Sequence, residues 1–229
     1  MHPVDIVEDI AIGFGFQNLP QKLSTTHLDA IPLKGSDLKR RFGESMRACG
    51  LQEVQSLTLS NERDQFENMR WPDEGYVTEI SNPITSDHTL LRQYILPSLL
   101  RLLAANRHHE LPQRVYEQGD VIRDSKNYPR GAWACAEVGS GFTASKGIAQ
   151  ALLRDMGANQ DEVEFRPIDH KHGPWINGRG SHIFIRDEKI GEFGEIDPEV
   201  SSIFGIKSPI QAGEIDLEAI YRIVPDPIS

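Results

Sequence analysis

The sequence predicts an α+β fold built around a mainly antiparallel sheet. Three observations carry this. Seven or eight segments alternate apolar and polar residues or read as compact apolar strands, and four or five show helical periodicity. Successive strand segments are joined more often by hairpin-length links than through an intervening helix, which separates an α+β arrangement from a βαβ one. The length, 229 residues, suits one large domain or two small ones with ample core.

Taken in order, residues 4–14 predict a helix. Val4, Val7, Ala11 and Phe14 form one stripe with Ile10 beside it, Pro3 suits the first helical position, and Gly13 and Gly15 suit the end. A polar connection through Ser24-Thr25-Thr26 ends near Pro32. A second helix opens at Gly35-Ser36-Asp37, with Ser36 or Asp37 as cap, and closes at Cys49-Gly50. EVQSLTLS (53–60) and GYVTEISNP (75–83) read as strands, the latter stopped by Asn82-Pro83. Residues 89–109 are helical, with Pro97 breaking or starting the main helix. QRVYEQGDVI (113–122) and GAWACAEVGS (131–140) alternate like antiparallel strands. A helix spans Thr143–Met156 and stops at Gly157. The strands 163–168, 179–187, 189–197 and 208–217 follow, with a short helix Pro198–Phe204 between the last two and a fraying tail VPDPIS.

Composition narrows the function classes. Hydrophobic residues make up 38% and charged residues 25%, as in ordinary globular proteins. No apolar run approaches the ~20 residues of a membrane span, and the start shows no signal-peptide pattern. Two scattered cysteines, Cys49 and Cys135, fit a reducing cytosol better than a disulfide framework. The 24 basic and 34 acidic residues give a net charge of −10, which argues against strong unaided binding of nucleic acid. Lys39-Arg40-Arg41 reads as a solvated helix face.

Asp5, Glu8 and Asp9 hold the first candidate chemistry. At spacings of three and four, their carboxylates share an arc of about 100° on one helix face. Such oxygens suit a hard cation such as Mg²⁺, but three cannot fill an octahedron without water or another segment. An acidic helix start that favours the dipole explains the same pattern, and the energies nearly cancel, so both readings stand. The histidine groups His108-His109 and His170, His172 and His182 lack zinc-site spacing. No nucleophile motif of the GxSxG kind is present. Gly139-Ser140-Gly141 reads as a helix cap, and Gly178-Arg179-Gly180 as a turn between strands.

Several stretches together resemble one family. HPVDIVEDIAIGFGFQNLP, ISNPITSDHTLLRQYILPSLLRLLAANRH, RVYEQGDVI, WINGRGSHIFI and IGEFGEIDPEVSSIFGI, in this order, are similar to phenylalanine–tRNA ligase β subunits of the archaeal or eukaryotic type. The resemblance implies a class II aminoacyl-tRNA synthetase-like fold, an antiparallel sheet flanked by helices. It implies residues 1–20 as a connecting helix at the end of a preceding domain and 21–229 as a non-catalytic synthetase-like core. It implies a cytoplasmic partner, the α subunit, in an (αβ)₂ heterotetramer that charges tRNA(Phe) using ATP bound at α, with no membrane association. It also implies Mg²⁺ held at Asp5, Glu8 and Asp9. A fourth family aspartate falls two places before Met1, so the chain reads as a fragment of a longer β subunit.

The class II pattern further expects an arginine two residues before a glutamate on one strand. Here Arg114 precedes Glu117 by three, which points the two to opposite faces. A late arginine after a glycine-rich lead is also missing, since only Arg222 follows Gly194. Without these cationic clamps no adenylation by this chain is expected. The alternatives are an independent Mg²⁺-dependent class II-like enzyme using Arg92, Arg114 and Arg179, or a tRNA-binding module using Lys39–Arg41.

Overall fold

The computed structural model describes residues 2–22, 33–169 and 172–224. The Ser24–Thr26 connection, His170 and the last residues of the tail lie outside them. The chain divides into two compact units, Met1–Pro32 and Leu33–Ser229.

The first unit holds α1, Pro3–Phe14, and a 3₁₀ turn, Phe16–Asn18. Pro3 sits in the first helical turn as expected. His2 caps it, Nδ1 accepting from Val4 N–H at 3.3 Å, and Asp5 returns the bond by accepting from His2 N–H at 2.7 Å. This reciprocal box satisfies two of the helix's orphan donors. Gly15 ends the helix at φ +88°, a conformation open to glycine.

The second unit contains nine strands and five α-helices among its described residues. The strands are β1 Gln52–Glu53, β2 Leu59–Ser60, β3 Leu90–Leu91, β4 Gln113–Arg123, β5 Lys126–Ala136, β6 Val163–Pro167, β7 Trp175–Ile185, β8 Glu188–Ile196 and β9 Ile210–Asp216. The helices are α2 Lys34–Ala48, α3 Leu96–Ala105, α4 Phe142–Asp155, α5 Pro198–Ile203 and α6 Leu217–Ile223. Seven strands form one sheet in the order β1-β4-β5-β9-β8-β7-β6, and β2 and β3 form a separate ribbon. Every pair is antiparallel except β1 with β4, which is parallel, so the sheet is mixed rather than purely antiparallel.

Strand alternation builds two cores. On β5, Ala132, Ala134 and Ala136 face one side, with α3 and Val200 of α5, while Trp133 and Cys135 face the other, with α2, α4 and α6. The sheet therefore lies between two helical layers, each element presenting its apolar side inward. The close stacking needs glycine where a ring crosses a strand: a Cβ at Gly213 would overlap the buried indole of Trp133.

Several expectations change. EVQSLTLS contributes only Glu53 to β1 and Leu59–Ser60 as β2, because Ser56 gives its backbone N–H and hydroxyl to the Glu117 side chain instead of to a strand. GYVTEISNP yields a single bridge, Glu79 to Leu90, its start being tied by Asp124 to Tyr76 N–H. The helix expected from 89 begins at Leu96, with Leu90–Leu91 extended as β3 and Pro97 in the first turn. Neither Ser36 nor Asp37 caps α2. The helix starts earlier, after Leu33, and Asp37 pairs with Arg40 and Arg41. Of Gly139-Ser140-Gly141, Gly141 is the N-cap residue of α4 as expected, but no side chain caps the helix, the Ser140 hydroxyl donating to Cys135 O at 3.2 Å. Gly178-Arg179-Gly180 lies inside β7, where the register with β8 breaks, not between strands. A π-helical turn at Arg63–Glu67 and helix α6, capped by Asp216 accepting from Ala219 N–H, were not expected.

Candidate functional site

A cleft of about 380 Å³ opens on the α3 side of the sheet, lined by residues of strands β4, β5, β7, β8 and β9 and by the irregular segment 71–74. Register decides what enters it. On β9 the face of Ile210 and Ala212 continues into Glu214. On β5 the face of Ala132 and Ala134 continues into Arg130, and on β4 that of Val121 into Arg123. Apolar at one end and ionic at the other, these faces place charges over a sheet that continues as hydrophobic core.

The ionic end is heavily cross-linked. Glu214 accepts from Ile95 N–H (3.1 and 3.0 Å) and Leu96 N–H (2.8 Å), so a strand carboxylate caps the start of α3. Arg130 Nη1 reaches Glu214 at 3.2 Å and its Nη2 reaches Glu74 at 3.3 Å. Arg123 also pairs with Glu74. Burial pushes the Glu214 carboxyl above its usual range, against the pull of Arg130 and the two backbone donors. Burial opposes the charge of Arg130 too, but Glu214, Glu74 and Asp216 outweigh it and raise its pKa.

Aromatic rings and a second carboxylate form the other wall. Trp71 stacks on Tyr94 at 4.5 Å and meets Trp175 edge-on at 6.5 Å. Both indoles donate to Glu192 Oε1, at 2.6 and 3.0 Å, and Lys189 Nζ lies 3.0 Å from Oε2. His182 Nδ1 is 3.3 Å from the same oxygen. Burial alone raises the Glu192 pKa; His182, Lys189 and Trp175 overcome it and hold the value at about 2. Burial, then the neighbouring Glu74, raises the Tyr94 phenol.

The anticipated cationic residues are all occupied. Arg114 and Glu117 do point to opposite faces of β4: Arg114 binds Glu137 through Nε and Nη2 (2.8 and 2.6 Å), and Glu117 binds Arg92 at 2.7 Å inside the core. Arg179 binds Glu195 at 2.7 Å. Lys39 pairs with Asp120, Arg40 with Asp37 and Glu44, and Arg41 with Asp37. Of the histidines, His172 and His182 line the cleft, whereas His108 and His109 are exposed beyond α3. Burial pushes the Cys135 thiol up to about 12, so it is inert as a nucleophile.

Asp5, Glu8 and Asp9 lie exposed on α1, with Asp5 engaged in the capping box. Their oxygen chemistry suits Mg²⁺. Among the described residues, however, no three His, Cys, Asp or Glu side chains are gathered as a group able to hold a metal, so the three acids alone do not make a complete site.

Glu74, Arg123, Arg130, Glu192 and Glu214 carry the cleft, and sequence reasoning missed them. Their partners are separated by as many as 121 residues. One signal was available: Glu214 interrupts the buried alternation of Ile210 and Ala212, which marks an acid with a partner rather than a solvent face.

Comparison with known proteins agrees with this architecture. The family described as "Phenylalanyl tRNA synthetase beta chain CLM domain" matches residues 19–217. The phenylalanine–tRNA ligase beta subunit of Archaeoglobus fulgidus is 36% identical over 223 residues, covering 96% of this chain and 40% of that protein. The beta subunit of Pyrococcus horikoshii is 36% identical over 229 residues, covering 97% and 40%. The chain thus spans about 40% of the length of these curated relatives. Among solved structures, the pyrrolysyl tRNA synthetase PylSc of Desulfitobacterium hafniense superposes with a TM-score of 0.65 at 13% identity, covering 82% of this chain and 68% of that one. That likeness supports a class II synthetase-like fold. With the family match spanning most of its length, the chain belongs to the phenylalanyl tRNA synthetase beta chain family.

Proposed function

We propose that the chain is the non-catalytic, class II-like core of a phenylalanine–tRNA ligase β subunit. In this reading residues 21–229 form the core and 1–20 a connecting helix. It assembles with the α subunit in an (αβ)₂ heterotetramer in the cytoplasm, and α binds ATP and charges tRNA(Phe) with phenylalanine. One observation carries the reading: each of the three arginines expected as an ATP clamp is spent on an internal acid, Arg114 on Glu137, Arg92 on Glu117 and Arg179 on Glu195. Phosphoryl chemistry needs such cations free to meet developing negative charge. The same pairs weigh against an independent class II-like enzyme, and the pairing of Lys39, Arg40 and Arg41 weighs against a tRNA module there.

Mg²⁺ at Asp5, Glu8 and Asp9 belongs to the proposal. The three carboxylates would supply part of its oxygen shell, and water or groups outside the described residues the rest. No step of the chemistry is assigned to that ion.

The experiment is reconstitution. The 229-residue chain mixed with α subunit is expected to co-elute with it. The chain alone is expected to catalyse no phenylalanine-dependent pyrophosphate exchange. Failure to bind α, at concentrations where the full-length β subunit binds, overturns the assembly role. Exchange by the chain alone overturns its silence.

A further inference from the structure

Segment 70–76 crosses the cleft as a strap. It begins at Arg70, held at φ +55°, and passes Gly75 at φ +71°, where a Cβ would lie 2.8 Å from the Asp124 carboxylate. Each step is tied to a different part of the sheet unit. Arg70 binds Asp197 and Glu199 at 2.9 Å, Trp71 binds Glu192, Pro72 O accepts from the Tyr94 hydroxyl at 2.9 Å, and Tyr76 N–H donates to Asp124. Gln93 accepts from Glu74 N–H at 2.6 Å and donates to Glu74 O at 2.9 Å. The strap thus holds one side chain, Glu74, between the two guanidinium groups at the cleft's ionic end.

That position is unusual in its balance. Glu74 Oε2 is shared by Arg123 and Arg130. Even so, Arg123 Nε and Nη2 and Arg130 Nε remain buried without an acceptor. The other acids of the cleft are engaged: Glu214 on the start of α3, Glu192 on the two indoles and Lys189, and Asp216, which also acts on Arg130 through space, on Ala219 N–H at the start of α6. Donors therefore outnumber acceptors around Glu74, and Glu74 is the most exposed member of its cluster, at 37% against 16% for Arg123, 12% for Arg130 and 2% for Glu214.

We propose that Glu74 is an internal stand-in for a small oxyanion: the strap places a carboxylate where a phosphate- or carboxylate-bearing ligand would bridge Arg123 and Arg130, and so closes an anion site with the chain's own acid. Removing the Glu74 side chain leaves two desolvated guanidinium groups against a single buried carboxylate, Glu214, and leaves space at the mouth of the cleft. Bidentate oxyanions match guanidinium forks of this kind. The proposal concerns occupancy of the cleft and does not depend on assembly with an α subunit, so a failed reconstitution leaves it standing and its own failure leaves the assembly role standing.

The test is chemical rescue in the 229-residue chain. Glu74→Ala should lower the melting temperature in chloride. Added inorganic phosphate at constant ionic strength should restore it saturably, while the wild-type chain should not respond. The same titration on Glu74→Ala combined with Arg123→Met should show the rescue lost. Equal phosphate responses of wild type and Glu74→Ala overturn the proposal, and so does rescue that survives loss of Arg123, which would mark an adventitious ion only. Should Glu74→Ala not fold, the near-isosteric Glu74→Gln removes the charge with little change of shape. Phosphate line broadening in ³¹P spectra should then appear with Glu74→Gln and not with wild type, and its absence from both overturns the stand-in role.

Discussion

Arg92 Nη1 lies 2.7 Å from Glu117 Oε1 with both side chains almost wholly buried, 3% and 1% exposed. The pair joins the segment after β3 to the middle of β4, and Ser56 completes it by donating to Glu117 Oε2 at 2.6 Å. Gly119 makes room for it, since a Cβ there would come within 2.6 Å of Arg92 Nη2. A buried pair adds little over a well-packed apolar pair, but removing one partner strands the other charge. Glu117→Gln is therefore expected to destabilise the fold by about 3–5 kcal/mol, the range for breaking a buried pair. Urea unfolding measures it. The combined change Arg92→Met with Glu117→Leu should cost less than the single change, and a larger cost for the double variant would contradict the stranded-charge account.

Gly213 makes a second case, in which space and not charge decides. The Trp133 indole lies against its α-carbon, fully buried between β9 and the α2–α4–α6 layer. Gly213→Ala forces a methyl into that ring, and overpacking of this kind costs about 1–3 kcal/mol. Pairing with Trp133→Phe, which trims the ring, should recover part of the loss. If the two changes are simply additive in thermal unfolding, the ring and the glycine do not compete for space.

How far these features could be read in advance depended on whether their cause was local. Strands β4, β5, β8 and β9 were legible because alternation along each one records which face is buried, and the short helix expected at Pro198–Phe204 is present as α5, with Pro198 in its first turn. β1 and β2 were over-read because the apolar pattern of 53–60 does not reveal that Ser56 turns to Glu117, 61 residues away. Helix α6 was under-read because only seven residues carry it and its cap, Asp216, also ends β9. The cleft was illegible for a related reason: Glu74, Arg130 and Glu214 acquire meaning only when register sets them on one face. The opposite orientations of Arg114 and Glu117 needed only the two-residue period of a strand, and that expectation held.

The Mg²⁺ proposal leads to a prediction about the assembled enzyme. Asp5→Asn with Asp9→Asn removes two carboxylate charges but leaves an amide oxygen at residue 5 able to accept from His2 N–H, so the capping box survives. Added Mg²⁺ is expected to raise the melting temperature of the wild-type assembly and not that of the double variant. If Mg²⁺ leaves both unchanged, the acids serve only the helix.

Glu192 should give the protein a distinct acid limb. Its carboxylate accepts from Trp71 and Trp175, with Lys189 beside it, and its pKa is held at about 2 against an ordinary value of 4.5. A group with a depressed folded-state pKa binds protons more readily in the unfolded chain. Its stabilisation is therefore complete above the unfolded value, near 4.5, and is lost as pH falls towards about 2. The shift corresponds to about 3 kcal/mol at neutral pH by linkage. Glu192→Gln should accordingly lose stability at pH 7 while approaching wild type at the acid end, so that the two stability–pH curves converge as pH falls. Because both indoles donate to this one carboxylate, tryptophan fluorescence should report the change directly. Curves that stay parallel from pH 7 downwards would mean that the indole contacts, not the charge of Glu192, hold this wall of the cleft.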